Sequence, residues 1–261
     1  MPKEFIKIIV QLIEQLMGKT PSKQPTPEVV VLPEAPKPEA PKPEVPKPEA
    51  PKPEAPKVVV PESGVSLNFV CSNVAKLSEA DYIYAAKMLD VEIACVKAVT
   101  EVESSGGGYL PSKRPKILFE SHLFSKQTSK KFDASYPHIS FPKWNKTLYK
   151  GGEGEYPRLL EAMSLDKVAA LKSASYGLFQ ILGLNYKSCG FNDVESFVKA
   201  QVESESKQLE SFINFLKSNG LDIKLRNKDF TAFARQYNGP GYEANGYHLK
   251  LEAAYNKHKG A

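Results

Sequence analysis

The sequence predicts a mainly α-helical domain with little sheet over residues 65–261. A short amphipathic helix at 1–19 and a disordered Pro-rich linker at 20–64 precede it. Three observations predict this. Composition shifts sharply near residue 64, where a tract dominated by Pro, Lys and Glu ends. Beyond it, apolar residues recur at helical spacing in one segment after another, broken at Gly183, Gly190, Gly220 and Gly239. Only Ile117-Leu-Phe119 reads as a candidate strand, and a buried helix segment fits it equally.

In chain order, Phe5, Ile6, Ile9, Leu12, Ile13, Leu16 and Met17 form one apolar helical stripe. Lys7, Gln11, Glu14 and Gln15 interrupt it, which argues against a transmembrane span. The interrupted core and the lack of a small-residue cleavage site argue against a secretory signal peptide. One helix cannot cover its own apolar face, so residues 5–17 call for a second copy, another protein or a membrane surface. Five tandem Pro-Glu-Ala/Val-Pro-Lys units follow between Pro33 and Lys57. They bury too little apolar surface to offset their ordering entropy. As polyproline II at about 3.1 Å per residue, the tract spans on the order of 100 Å and serves as a spacer.

The remaining 200 or so residues suffice for one core. Ser78-Glu-Ala-Asp81 has the pattern of a capping box, opening a helix to about Leu89. Asp90 is then the expected N-cap of a helix ending at Glu103, before Gly106, Gly107 and Gly108. Lys97, Thr100 and Glu101 share its polar arc, and Lys97 and Glu101 can pair four residues apart. Further helices are expected at Leu159–Met163, Leu165–Leu171, Val194–Leu216, Phe230–Tyr237 and Tyr247–Tyr255.

Residues 1–64 hold nine Lys and nine Glu, so the formal charge of +5 belongs to the C-terminal domain. That suits an anionic polymer. It is too small and too unclustered for nucleic acid. Three cysteines, Cys71, Cys95 and Cys189, form no disulfide framework, and Cys95 is expected in the core. The four histidines are scattered, so neither a metal nor a cofactor is expected.

Glu103 is the residue in an unusual place. Val96 and Val99 lie above it on the apolar side of its helix. Burial and the negative end of the helix dipole both push a carboxyl there towards its protonated form. A carboxylic acid still protonated near neutral pH is what a general acid requires.

Glu103-Ser-Ser-Gly resembles the Glu-Ser-x-x-Gly turn of goose-type lysozymes and soluble lytic transglycosylases. Ser175-Tyr-Gly-Leu-Phe-Gln-Ile-Leu182 is similar to their Gly-Leu-Met-Gln segment, and Phe233-Ala-Arg-Gln-Tyr-Asn-Gly239 to their Ala-Tyr-Asn segment. Over residues 75–257 the chain more closely resembles the N-acetylmuramidase family of phage endolysins. That likeness is carried by the Val-Glu-Ser turn and by Arg114-Pro-Lys-Ile-Leu-Phe-Glu-Ser-His-Leu-Phe124. Ser121 departs from it, because an arginine is expected there.

The resemblance implies a lysozyme-like (goose-type) domain acting on peptidoglycan glycan strands, with Glu103 as the acid. Breaking a β-1,4 glycosidic bond also needs support for an oxocarbenium-like centre or an activated water. Glu120 is the candidate, as base, electrostatic stabiliser or buried anchor bonded to His122, Arg114 or backbone amides. Asp133, Glu153 and Glu155 are fallback bases. His122, Tyr176, Gln180, Tyr237 and Asn238 are the expected substrate-binding residues; Trp144 could stack on a sugar or build a small local core. A lytic transglycosylase and a non-catalytic wall-binding module are the alternative functions. The resemblance further implies synthesis in the bacterial host cytoplasm and action on periplasmic peptidoglycan.

Overall fold

A computed structural model describes residues 67–104 and 106–260. The predicted amphipathic helix and Pro-rich linker lie outside the described residues.

Helix α1 spans Glu79–Leu89. The Ser78 side chain accepts from the Asp81 N–H and the Asp81 carboxylate accepts from the Ser78 N–H, so the expected capping box forms. Asp90 does not cap the next helix. It closes α1 in a left-handed conformation at φ 57°, and its N–H bonds back to the last turn. A short polar side chain tolerates that backbone region, whereas an N-cap needs an extended one. Extended Glu92 therefore precedes α2, Ile93–Glu103. The expected Lys97–Glu101 pair is also absent. Lys97 pairs with Glu79 at 2.9 Å, and Glu101 with Lys257 at 2.9 Å and His258 at 2.8 Å. Thr100, expected on the polar arc, is buried. Neighbouring helices cover more of α2 than its periodicity suggests; the helix at Tyr247–Lys259 packs along it.

Ile117–Phe119 is a strand, β1, entirely buried. It pairs antiparallel with β2, Ala174–Tyr176, which pairs antiparallel with β3, Ile181–Leu182. Ser175 stands opposite Leu118 on one side and Leu182 on the other. A short helix absent from the sequence reading, α3 at Ser121–Gln127, leaves β1 directly. After a long loop come α4, Glu155–Leu165, and α5, Lys167–Lys172.

The single helix expected at Val194–Leu216 is two: α6, Val194–Glu203, and α7, Glu205–Ser218. Ser204 between them is extended, and its side chain accepts from the Lys207 N–H, capping α7. Helices α8, Leu221–Arg226, α9, Phe230–Asn238, and α10, Tyr247–Lys259, complete the chain. The fold is mainly helical with one small sheet, as predicted.

The core joins almost all these elements. Phe212 of α7 stacks on Phe179 of the β2–β3 turn, with ring centroids 4.1 Å apart. On its other side it meets Tyr237 of α9 edge-on at 5.8 Å, and Tyr237 stacks on Phe233. Such pairs add about 0.5–1.5 kcal/mol each beyond area burial. This aromatic row fixes the hairpin against α9. Cys71, Cys95 and Cys189 are all buried free thiols.

Candidate active site

Glu103 is the last residue of α2 and only 1% exposed. Its hydrogen-bonding partner is the Asn238 amide, whose Nδ2 donates to both carboxyl oxygens at 3.3 and 3.2 Å. Asn238 ends α9 and is itself buried. Burial pushes the Glu103 carboxyl up to about 8, against smaller opposing effects of the Asn238 amide and the Lys250 charge. Glu103 is thus an acid that keeps its proton at neutral pH. The Asn238 Oδ1 is buried without a hydrogen-bond partner among the described residues. Turning the amide over would let it accept from protonated Glu103, so one side chain can serve both protonation states.

Glu120 follows β1 and is fully buried. The Tyr149 hydroxyl donates to its Oε2, and His122 Nδ1 lies 3.3 Å from the same oxygen. Glu120 Oε1 and His122 Nε2 are buried without protein partners among the described residues. Burial first, then the charge of Glu120, holds the Tyr149 hydroxyl far above the usual phenol range, so it stays a donor. Trp144 is 37% exposed. Of the partners expected for Glu120, His122 is present. Arg114 instead lies over the Tyr156 ring.

Three of the expected sugar contacts, Tyr176, Gln180 and Tyr237, are buried. Tyr176 is fully buried on the central strand; its hydroxyl donates to the Leu171 carbonyl and its ring meets Phe197 edge-on. Gln180 is buried at φ 48°, with its amide donating to the Lys116 and Gly177 carbonyls and accepting from Ser175. It ties a loop, and both of its N–H donors are already engaged. Tyr237 belongs to the aromatic row. Burial and the nearby Glu103 charge keep its hydroxyl protonated.

The fallback bases are accounted for in the same way. Asp133 accepts from the Ser125 and Ser140 hydroxyls at 3.0 and 2.6 Å. Glu153 faces solvent near Arg114. Glu155 is buried and bonded to Arg158 at 2.6 Å and to the N–H groups of Phe119, Lys150 and Gly151. Beside Ser121, at the position where the resemblance calls for an arginine, the guanidinium comes from Arg158, which donates to the Ser121 hydroxyl at 2.5 Å.

Sequence reasoning misses Tyr149, Lys250, Glu205 and Gln208. The first two carry no local signal. Gln201, Glu205 and Gln208 do carry one, being polar residues at helical spacing among Phe197, Val198, Leu209 and Phe212.

The groups hang on one frame. The Lys116 N–H donates to the Gly108 carbonyl just beyond Glu103, and its carbonyl accepts from the Gly177 N–H, both at 2.8 Å. Glu120 lies four residues further on. Among the described residues no cluster of His, Cys, Asp and Glu could hold a metal ion, and no helix is long and apolar enough to cross a membrane.

A small sheet inside a helical domain, with a buried protonated glutamate ending a helix, defines a lysozyme-like glycosidase. Comparison with known proteins concurs. A family model described as "Muramidase: N-acetylmuramidase" matches residues 92–259. The crystal structure of Burkholderia AP3 phage endolysin is similar at a TM-score of 0.68 and 40% identity, covering 71% of this chain and 72% of that one. No curated protein matches. The chain belongs to the N-acetylmuramidase family and is an enzyme of peptidoglycan hydrolysis.

Proposed function

We propose that the chain is an endolysin that cleaves the β-1,4 bond between N-acetylmuramic acid and N-acetylglucosamine, with Glu103 as general acid. The carrying observation is the burial of Glu103 with one neutral amide as its hydrogen-bonding partner, which raises its carboxyl to about 8. At neutral pH it can donate to the leaving glycosidic oxygen. Asn238 holds the carboxyl in place before and after transfer. An apolar pocket raises a glutamate in the same way in the best-known lysozyme, where the acid stays protonated to about pH 6.

Glu120, with His122, is the second candidate group. As a carboxylate it would stabilise the oxocarbenium-like centre or orient water, with Tyr149 and His122 fixing its position. One observation favours a different outcome: Glu120 is fully buried and already bonded. If it is only an anchor, Glu103, left as a carboxylate after protonating the leaving oxygen, takes the proton of the muramyl 6-hydroxyl as that oxygen closes the ring on C1, as in a lytic transglycosylase. The endolysin assignment is drawn from the 40% identical phage protein. Residues 5–17 would then supply self-association or membrane contact.

Digestion of purified Gram-negative peptidoglycan by wild type and Glu103→Gln, followed by mass spectrometry, tests this. Reducing-end muramic acid products from wild type alone are expected. Products lighter by one water would establish the transglycosylase instead. Equal release by both proteins would remove Glu103 as the acid. Binding without release by either would leave a wall-binding module.

A further inference from the structure

We propose that Gln208, with Glu205 on the same helix, is the positioning residue that fixes the turn after Glu103 against the β2–β3 hairpin. This rests on Glu103 being the acid. Gln208 is fully buried on α7. Its Oε1 accepts from the Leu178 N–H at 2.7 Å, and its Nε2 donates to the Gln201 carbonyl at 2.7 Å. Both ends of the amide are therefore engaged.

The same side chain is wedged between two glycine backbones. A Cβ on Gly108 would lie 2.2 Å from the Gln208 Oε1, and one on Gly177 would lie 2.6 Å from its Cδ. Gly108 is five residues beyond Glu103; Gly177 opens the hairpin turn. Glu205 adds a second tie. It is buried, and its Oε1 accepts from the Gly108 N–H at 2.7 Å while its Oε2 accepts from the Leu77 N–H at 3.2 Å. Two polar side chains of one helix thus hold the exit of the Glu103 helix, the hairpin and the chain entering α1.

The buried neighbours of Gln208 on α7 are mostly apolar: Leu209, Phe212 and Ile213. Burying a carboxylate and an amide among them is costly unless each is bonded. Here the bonds run to the N–H groups of Gly108, Leu77 and Leu178 and to the Gln201 carbonyl, and Gly108 lies five residues beyond the acid. A displacement of about 1 Å in a catalytic group can cost on the order of 100-fold in rate, so the brace acts on turnover.

The test uses the full chain carrying Gln208→Met, Gly108→Ala, the double change, Gln208→Glu and, in parallel, Glu103→Gln. Gly108 is outside the left-handed region, so its alanine is limited by the glutamine and not by backbone strain. Turnover, KM and the pH profile are measured on soluble glycan strands. Gln208→Met and Gly108→Ala should each lower kcat about 10- to 100-fold with little change in KM. The double change should be no worse than the more severe single change, because both release the same contact. The alkaline limb of the profile should move to lower pH as water reaches Glu103. Gln208→Glu keeps the acceptor for the Leu178 N–H but sets a second acceptor against the Gln201 carbonyl, so it should lower kcat as Gln208→Met does. If Gln208→Met gives no cooperative melt, Gly108→Ala, which leaves Gln208 in place, carries the test alone. Wild-type kcat and an unmoved limb in a cooperatively folded Gly108→Ala, or losses that multiply in the double change, would overturn the brace. An inactive Glu103→Gln beside those results leaves the acid in place and removes only the brace. An active Glu103→Gln removes the acid itself.

Discussion

Glu103 and Glu155 are buried to the same degree, 1% and 0% exposed, yet are built in opposite ways. Glu155 accepts from three backbone N–H groups and the Arg158 guanidinium. Among the described residues, Glu103 has the neutral Asn238 amide as its hydrogen-bonding partner and the Lys250 charge in support. Burial alone therefore does not raise a carboxyl enough to keep its proton; burial with few compensating donors does. One carboxylate ties β1, α4 and the loop before it together. The other stays uncomfortable when ionised and so retains a transferable proton.

Replacing each glutamate breaks the comparison most sharply. Folded Glu103 holds its proton to about 8, whereas the unfolded chain releases it near the ordinary value of 4.5. The folded state binds more protons between those values, so stability falls as pH rises through that window and levels off above it. Glu103→Gln removes this loss. Urea titrations across pH should show it more stable than wild type above pH 8, by on the order of 5 kcal/mol, with the difference vanishing towards pH 4. Activity should be lost at every pH. Glu155→Ala should act with the opposite sign, costing about 3–5 kcal/mol, because a buried guanidinium loses its counter-charge.

Smaller effects sharpen the contrast. Tyr149→Phe strips one donor from buried Glu120 and should cost about 1–3 kcal/mol. If glycan turnover falls well beyond that, Glu120 is chemical; if stability alone changes, it is an anchor. Asn238→Leu should cost about 1 kcal/mol. It should also move the alkaline limb of kcat/KM to higher pH, since the amide holds the Glu103 carboxyl down. Lys97→Met, at a partly exposed pair with Glu79, should change stability by less than about 1 kcal/mol in a thermal melt.

What is legible in the sequence is local. The Ser78 capping box depends on residues three apart, and the inward face of Glu103 follows from the periodicity of one helix. Asp90 misleads because aspartate suits both a helix start and a left-handed helix end, and side-chain type does not choose between them. The split at Ser204 is hidden because apolar periodicity continues through it. Tyr176 and Gln180 belong to a motif that resembles a sugar-binding segment, but the central strand draws Tyr176 inward and Gln180 is bonded to the Lys116 and Gly177 carbonyls in the turn that follows. Gln208 is not legible as a brace, since its loop partners are backbone groups 30 and 100 residues away. The second carboxylate stands between these cases: spacing points to its His122 partner, and nothing local points to Tyr149.

The central claim concerns one proton. The most direct measurement is a carbon-13 NMR titration of the full-length protein labelled at glutamate side-chain carboxyls, with Glu103→Gln to assign the signal. One carboxyl should titrate near pH 8 in the wild type and be missing from the variant. If the resonance missing from the variant instead titrates near 4, like an exposed glutamate, Glu103 is ionised at neutral pH and cannot be the general acid.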